Sequence, residues 1–369
     1  MRKKSGFKQI GMALLAALYL TGCAGKPAAP QTSAPAETTA GETSQNAETT
    51  AGETSQNAET TAAETTQAAE TTAAEESAAA ETDRYEEIID RSGDEGKLTA
   101  YFLDLETDPD AEDKAGDSTI LISPDGKVML LDAGHPGAGH LVVQALKDLG
   151  IEQIDYLVTS HPHIDHIGGV PEVMEAFPVG ETYSSYVEYT TKTYEDYVAA
   201  LEKSGAEHHN LKTGDVFQFG EQVQVEVLGP EEEIVYPDGF PDNSTEFLNN
   251  HSLTLKFTYG ESSALFCGDL YLPQERDYVE QYGEKLHSDL VKANHHGKDT
   301  SNSKKWIKAT SPQVVVAMND KAPNMTVCEN YKKAGAEYHH TFYDGVVKVR
   351  MDDKKNLEVL DQKDSFLNE

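Results

Sequence analysis

The stretch HPHIDH, residues 161–166, decides the fold that this sequence predicts. It follows an apolar, strand-like run at 154–159 and precedes two glycines. Imidazole and carboxylate groups are the ligands that zinc-like ions prefer. His161 and His163 are two positions apart, so in an extended segment both project to one side, while Asp165 and His166 can turn toward a second ion. The stretch therefore predicts a loop that seats two metal ions; the alternative is a solvated polar loop with incidental histidines.

Two later stretches offer the ligands that this loop lacks. Asp269 closes the apolar strand-like run at 264–268, and a carboxylate beside a glycine at a strand end is well placed to bridge two ions. His295 and His296 follow another strand-like run at 289–293 and precede a glycine. Adjacent residues on an extended chain diverge, so only one of these two histidines is expected to be a ligand.

Strand-like and helix-like runs alternate through the rest of the chain. Strands are expected at 98–105, 118–123, 127–132, 154–159, 215–219, 222–228, 252–258, 263–267, 313–318 and within 338–351, and helices at 140–149, 193–204, 273–286, 302–309 and 327–334. This interleaving predicts an α/β (α+β) fold with helices on the outer faces of sheets, rather than an all-β sandwich or a bundle.

Together, these stretches resemble the metallo-β-lactamase fold superfamily. Its ComEC-type (competence protein) branch is the most similar, through the sequences LLDAG at 130–134, NNHSL at 249–253 leading to Gly268-Asp269, and NHHG at 294–297. The resemblance runs from about residue 98 to 351 and implies a four-layer αββα sandwich within residues 84–369. The membrane-channel segments of full ComEC proteins do not occur in this sequence, so the resemblance does not carry DNA uptake with it.

The resemblance also implies a ligand set for two divalent ions, with zinc expected and manganese or iron as alternatives. His161 and His163 would bind the first ion, Asp165 and His166 the second, Asp269 would bridge them, and His295 would complete the second site. Asp165 would also be catalytic, orienting a hydroxide or passing a proton to the leaving group.

Two further residues are considered beside this ligand set. His251 is a candidate for the remaining ligand, but the Asn249-Asn250 turn stands where the branch replaces that ligand, and both alternatives stay open. Asp132 is expected to orient a metal ligand rather than to bind metal.

The function that the resemblance implies is a dinuclear hydrolase working through a metal-bridging hydroxide, with phosphoesters or phosphodiesters as the expected substrates. The alternatives are a lactonase or β-lactamase type of hydrolase and a non-catalytic binding lipoprotein. The chain of 369 residues carries 64 acidic against 30 basic residues, a net charge of -34, so tight nucleic-acid binding is not expected. A small-molecule or cell-envelope substrate fits this charge better.

Five tyrosines that follow the histidine loop either line a substrate rim or form a packing surface: Tyr183, Tyr186, Tyr189, Tyr194 and Tyr197. Three cysteines are too few for a disulfide scaffold, and two of them, Cys267 and Cys328, are predicted to be buried free thiols.

The amino-terminal part of the sequence predicts export and anchoring. Residues 1–23 combine early basic residues with a short apolar run and end in the lipobox-like LTGC, so Cys23 is the expected lipidation site. An ordinary secretory signal that leaves Cys23 as a free thiol is the alternative. Residues 24–83 repeat the unit AETTAGETSQN without aromatic residues and are predicted to be a disordered linker. The protein is therefore expected to be lipid-anchored to the membrane outside the cytoplasm.

Overall fold

A computed structural model describes residues 84–105, 116–364 and 367–368. The predicted signal peptide, Cys23, the predicted linker and residues 106–115 lie outside the described residues. Within the described part of the chain, no helix has the length and apolar character needed to cross a membrane.

The strands of the described chain are β1 (Leu98–Phe102), β2 (Thr119–Ile122), β3 (Val128–Leu131), β4 (Ile154–Val158), β5 (Val179–Ser185), β6 (Glu207–Leu211), β7 (Val216–Phe219), β8 (Val223–Gly229), β9 (Thr254–Tyr259), β10 (Ser262–Phe266), β11 (Leu290–Lys292), β12 (Val314–Ala317), β13 (Glu337–His340), β14 (Val347–Met351) and β15 (Leu357–Asp361). The helices are α1 (84–89), α2 (Gly139–Asp148), α3 (Ile164–Ile167), α4 (Val170–Ala176), α5 (Lys192–Ser204), α6 (Thr245–Asn250), α7 (Leu272–Tyr282), α8 (Lys304–Thr310), α9 (Met325–Lys333) and α10 (Thr341–Asp344).

These strands form two sheets. The first has eight strands in the order β15-β14-β1-β2-β3-β4-β5-β6, and the second has seven in the order β13-β12-β11-β10-β9-β8-β7. In the first sheet β3, β4, β5 and β6 run parallel, and in the second β10, β11, β12 and β13 do. Parallel strands need crossover connections, and helices supply several of them, as α2 does between β3 and β4.

Three apolar clusters hold the layers together. The central cluster lies between the two sheets and contains Phe102, Phe257 and Phe266. A second cluster packs α2, α4 and α5 on the outer face of the first sheet, and a third packs α7, α8 and α9 around Trp306 on the second sheet. Burying a side chain of this size contributes ~2–3 kcal/mol. The layers are therefore helix, sheet, sheet and helix, which confirms the predicted four-layer αββα sandwich.

An ion pair joins the free edges of the two sheets. His339 lies on β13, the edge of the second sheet, and its Nδ1 is 3.0 Å from a carboxylate oxygen of Asp361 on β15, the edge of the first. Nε2 of His339 is 3.3 Å from Glu337. Burial acts to lower the pKa of His339, but its pairing with Asp361 and Glu337 outweighs burial and raises this pKa to about 9.

Both cysteines within the described residues are buried free thiols, as predicted. The predicted strands and helices are present within a few residues, whereas β5, β6, β15 and the short helices were not predicted. The polar sequence EHHNL of β6 has little apolar content because this edge strand is mostly exposed.

Candidate metal centre

The candidate metal centre lies where loops from both sheets meet. Asp165, His166, Asp269 and His296 each offer one ligand atom, and these atoms all lie within 4.8 Å of one another. The loop after β4 and the start of α3 bring Asp165 and His166, the end of β10 brings Asp269, and the turn after β11 brings His296. Three of the four residues are buried and Asp165 is half-buried, so the cluster opens on the Asp165 side.

Asp269 is the centre of this cluster. Its Oδ2 atom lies 3.4 Å from Nε2 of His166 and 3.2 Å from Nε2 of His296. Nε2 of His296 is also 3.3 Å from Oδ2 of Asp165. One carboxylate oxygen thus faces two imidazole nitrogens from different loops, which is the position expected of a bridging ligand.

His161 and His163 lie directly beside this cluster. Nε2 of His161 is 2.8 Å from Nδ1 of His163, and the rings of His161 and His166 have centroids 4.1 Å apart. The histidine loop therefore presents both imidazoles next to the four clustered side chains, on the His166 side.

The turn after β11 is not extended, and it places both of its histidines at the site. His295 has φ of 46° and His296 has φ of 55°, so both occupy the left-handed region rather than an extended strand. Their rings lie 5.6 Å apart instead of diverging. Nε2 of His295, the predicted ligand, is 3.8 Å from Asp269, while that of His296 is nearer and belongs to the cluster. The sequence left open which of the two histidines binds metal, because the turn was taken to be extended; its left-handed conformation brings His296 into the cluster.

His251 is not one of the four clustered ligand residues. Its Nδ1 is 2.7 Å from the Phe247 carbonyl oxygen, and its ring packs against the Phe247 ring at 4.2 Å. Asn249, at the end of the same helix, acts to raise the pKa of His163 against the effect of burial, and its buried Oδ1 has no hydrogen-bond partner among the described residues. Between the two alternatives, the geometry favours the Asn249-Asn250 turn over His251 as the neighbour of the metal loop.

Asp132 fixes the position of His166, as expected of an orienting residue. It follows β3 with φ of 61°, and its carboxylate accepts hydrogen bonds of 2.7 Å from both the backbone N–H and the hydroxyl of Ser160. The same carboxylate lies 2.8 Å from Nδ1 of His166. A histidine held at Nδ1 presents Nε2 to a metal, and such partners raise its basicity as a ligand.

Asp117 orients His296 as Asp132 orients His166. It was not among the predicted site residues. Its carboxylate lies 2.9 Å from Nδ1 of His296. The preceding residue, Gly116, has φ of 79°, and a Cβ there would lie 1.9 Å from the Asp165 carbonyl oxygen. Glycine is thus required at 116 for this segment to approach the histidine loop.

Lys292 lies beneath the cluster as a buried cation. Its ammonium group pairs with Asp117, donates to the Gly268 carbonyl oxygen at 3.0 Å, and lies 3.7 Å from Asp269. Burial acts to lower the pKa of Lys292, but Asp117 and Asp269 raise it. Because this side chain is buried, it is not part of a basic surface patch for a polyanion.

Buried carboxylates set the proton affinity of the two inner histidines. Burial by itself would lower the pKa of His166, but Asp269 and Asp132 raise it to about 10. Burial likewise opposes Asp269 and Asp117 at His296, whose pKa is nonetheless held well above its usual value. The carboxylates therefore favour positive charge at the imidazoles of His166 and His296. A divalent cation bound to these imidazoles would supply that charge in place of the protons.

The remaining histidines of the site are predominantly neutral near pH 7. Burial lowers the pKa of His161 well below its usual range and lowers the pKa of His163 as well. Burial also lowers the pKa of His295 to about 3. Neutral imidazole is the form that coordinates a metal ion.

The side chains present fit divalent metal ions. Nε2 of His166, Nε2 of His296 and Oδ1 of Asp269 are buried without a hydrogen-bond partner among the described residues. A buried polar atom without a partner costs about 1–3 kcal/mol, which coordination to a metal would relieve. Nitrogen and carboxylate donors with carboxylate-held imidazoles are the donor set of zinc, iron and manganese centres.

A family model described as "Metallo-beta-lactamase superfamily" matches residues 114–313, more than half of the chain. The chain belongs to the metallo-beta-lactamase superfamily, as the sequence stretches predicted. Its fold and candidate centre are those of a divalent-metal-dependent hydrolase of this superfamily.

Curated relatives are similar over part of their length. Competence protein ComA of Neisseria gonorrhoeae is 30% identical over 200 residues, covering 54% of this chain and 25% of the relative. ComE operon protein 3 of Bacillus subtilis is 24% identical over 215 residues, covering 57% and 26%. A hydroxyacylglutathione hydrolase of Xylella fastidiosa is 28% identical over 149 residues, covering 40% and 43%. The chain thus spans about a quarter of the length of the first two relatives.

Proposed function

We propose that the protein is a dinuclear metal-dependent hydrolase of phosphoesters or phosphodiesters. The observation that carries this proposal is the convergence of four ligand atoms within 4.8 Å, with His161 and His163 immediately beside them. Six side chains exceed what one tetrahedral ion needs, and a carboxylate that faces two loops can be shared between two ions.

The ligands divide naturally into two groups. His161 and His163 would hold one ion, while Asp165, His166 and His296 would hold the other, with Asp269 shared between them. When bound, two divalent ions supply an activated water and neutralise charge on the oxygens of the attacked group. The abundance of histidine makes zinc the first ion to test.

The chain's own residues orient these ligands and handle protons. Asp132 and Asp117 hold the Nδ1 sides of His166 and His296 at 2.8 and 2.9 Å, which keeps both Nε2 atoms turned inward. Asp165 lies on the open side of the cluster. It is therefore placed to take a proton from the attacking water and to return one to the leaving group.

A phosphodiester is favoured by two-ion chemistry, in which both the attacking and the leaving oxygen can be stabilised. A long polyanion is disfavoured by the chain's net charge of -34. The substrate we propose is a small molecule or an envelope component, met outside the cytoplasm by a protein anchored through Cys23.

A second candidate is hydrolysis at a carbonyl carbon. The similarity to a hydroxyacylglutathione hydrolase favours it, because the same arrangement of ligands can stabilise charge on a carbonyl oxygen. A lactonase, a β-lactamase or a thioesterase activity would belong to this class.

Product assays on the full chain, loaded with zinc, manganese or iron, separate the candidates. Bis(p-nitrophenyl) phosphate should be hydrolysed faster than a lactone, a β-lactam or a glutathione thioester. Asp165→Asn and Asp269→Ala should abolish turnover with unchanged circular dichroism, while the exposed Asp238→Asn serves as the control. Turnover of only the carbonyl substrates would select the second candidate. Absence of metal binding and of turnover on every substrate would overturn the proposal and favour a binding lipoprotein.

A further inference from the structure

A cavity of about 420 Å³ lies beside the candidate metal centre. His161 and Pro162 of the metal loop form part of its wall, together with Thr159 and Ile167. The rest of the wall comes from α5, from the end of β5 and the segment after it, and from β6 and the turn before it. Because β4 and β5 are parallel, the cavity lies at the carboxyl ends of neighbouring strands, where α/β folds place their ligands.

The wall from α5 is apolar and aromatic. Tyr194, Tyr197, Val198 and Leu201 contribute to it, and the rings of the two tyrosines lie 6.0 Å apart. The Tyr197 hydroxyl is 2.8 Å from the Thr159 hydroxyl, so these two polar groups satisfy one another. This side of the cavity therefore offers ring faces and aliphatic surface to a ligand.

One group of polar lining residues, at the ends of β5 and β6, is uncharged. The Ser184 hydroxyl lies 3.2 Å from both Nε2 of His208 and Oδ1 of Asn210. Burial lowers the pKa of His208, so this imidazole is predominantly neutral at pH 7. These groups can orient a ligand through hydrogen bonds without supplying positive charge.

The charged residues of the lining disfavour anions. Glu188 and Glu202 both line the cavity, and no lysine or arginine belongs to the lining formed by the described residues. An anionic group entering here would lose its hydration without meeting a cation. A volume near 420 Å³ is in the range of small-molecule pockets and accommodates a ring of phenyl size.

We propose that this cavity binds an uncharged aromatic group of the substrate while the ester is held at the metal centre. The proposal rests on the proposed function and narrows its substrates to small esters that carry at least one uncharged ring. Three of the five tyrosines that follow the histidine loop, Tyr186, Tyr194 and Tyr197, then serve as a substrate wall.

The first test is kinetic and uses two diesters with the same leaving group. Bis(p-nitrophenyl) phosphate carries a second ring, whereas methyl p-nitrophenyl phosphate carries a methyl group in its place. Leu201→Trp fills the cavity. It should reduce kcat/KM for bis(p-nitrophenyl) phosphate relative to kcat/KM for methyl p-nitrophenyl phosphate by about tenfold or more, mainly by raising KM for the ring-bearing diester. Ala199→Trp on the exposed side of the same helix is the matched control and should leave the ratio unchanged.

The second test measures binding without turnover, so that it stands even if neither diester is hydrolysed. Saturation-transfer NMR on the full metal-free chain compares p-cresol with p-toluenesulfonate, which is the same ring carrying a fixed negative charge. We expect p-cresol to bind the native chain and the Ala199→Trp variant, to lose binding in Leu201→Trp, and to bind at least about tenfold more tightly than p-toluenesulfonate.

Equal binding of the two probes, or p-cresol binding that survives in a folded Leu201→Trp variant, would overturn the proposal. If Leu201→Trp fails to fold, Val198→Phe replaces it with the same expectations. Loss of diester hydrolysis in every variant and in the native chain, together with retained p-cresol selectivity, would contradict the phosphodiester function and leave the cavity assignment standing.

Discussion

The Asp117 carboxylate lies 2.9 Å from Nδ1 of His296, although 179 positions separate the two residues in the chain. Asp117 precedes a strand of the first sheet, and His296 follows a strand of the second. This contact ties the two halves of the sandwich together at the metal centre and turns Nε2 of His296 toward Asp269. The corresponding contact within the first half joins Asp132 to His166.

Asp117→Asn should lower metal affinity by about 10- to 100-fold, because loss of a carboxylate partner weakens the orientation and basicity of a ligating imidazole. Competition with a fluorescent zinc chelator measures this change. The exposed Asp238→Asn is the charge-matched control and should bind as the native chain does. An unchanged affinity in Asp117→Asn would show that His296 is not a ligand held by this contact.

His296→Ala should lose one of two bound ions, while His295→Ala should retain both. The reason is geometric: Nε2 of His296 lies 3.2 Å from the shared Asp269 oxygen and that of His295 lies 3.8 Å away. Metal content per chain, measured by plasma mass spectrometry after gel filtration, distinguishes the two variants. Loss of one ion in His295→Ala, with both ions retained in His296→Ala, would instead identify His295 as the ligand.

His251→Ala should leave metal content unchanged, because His251 is not among the clustered ligand residues and its ring packs on Phe247. Asn249→Ala, at the same helix end, should instead weaken metal binding, because Asn249 acts on His163 and its buried Oδ1 has no hydrogen-bond partner among the described residues. Loss of one ion in His251→Ala would reopen the alternative in which that histidine is a ligand.

Asp361→Asn should destabilise the protein at pH 6 by about 1–2 kcal/mol, and this difference should shrink as pH rises from 6.5 through about 9. The pKa of His339 is raised in the folded state. Its charged form therefore adds stability that is fully present below the pKa of the unfolded state and is lost as pH rises through the pKa of the folded state. The carboxylates that face it are Asp361 on β15, Glu337 on its own strand and Asp344 on α10.

Urea denaturation of the metal-free full chain at pH 6, 7.5 and 9 measures this difference, with the exposed Glu233→Gln as the control variant. A difference between native and Asp361→Asn chains that stays constant over this range would contradict the assignment of the ion pair.

The alternation of apolar runs predicted helices on the outer faces of sheets, and the family resemblance carried by residues 161–166, 268–269 and 294–297 implied the four-layer sandwich. The sequence did not predict β6, whose exposed edge position permits a polar sequence. It could not decide between His295 and His296, because the sequence NHHG does not reveal the left-handed backbone conformation that brings His296 into the cluster. It missed Asp117 because its partner lies 179 positions away and only the packing of the two sheets brings them together.

Anomalous diffraction from crystals of the metal-loaded protein tests the central claim most directly. Our interpretation predicts two peaks at the metal absorption edge. One should lie about 2.0–2.2 Å from Nε2 of His166, Nε2 of His296 and carboxylate oxygens of Asp165 and Asp269, and the other beside His161 and His163, also within reach of Asp269. A single peak, or peaks on other residues with the Asp269 oxygens uncoordinated, would contradict the dinuclear centre.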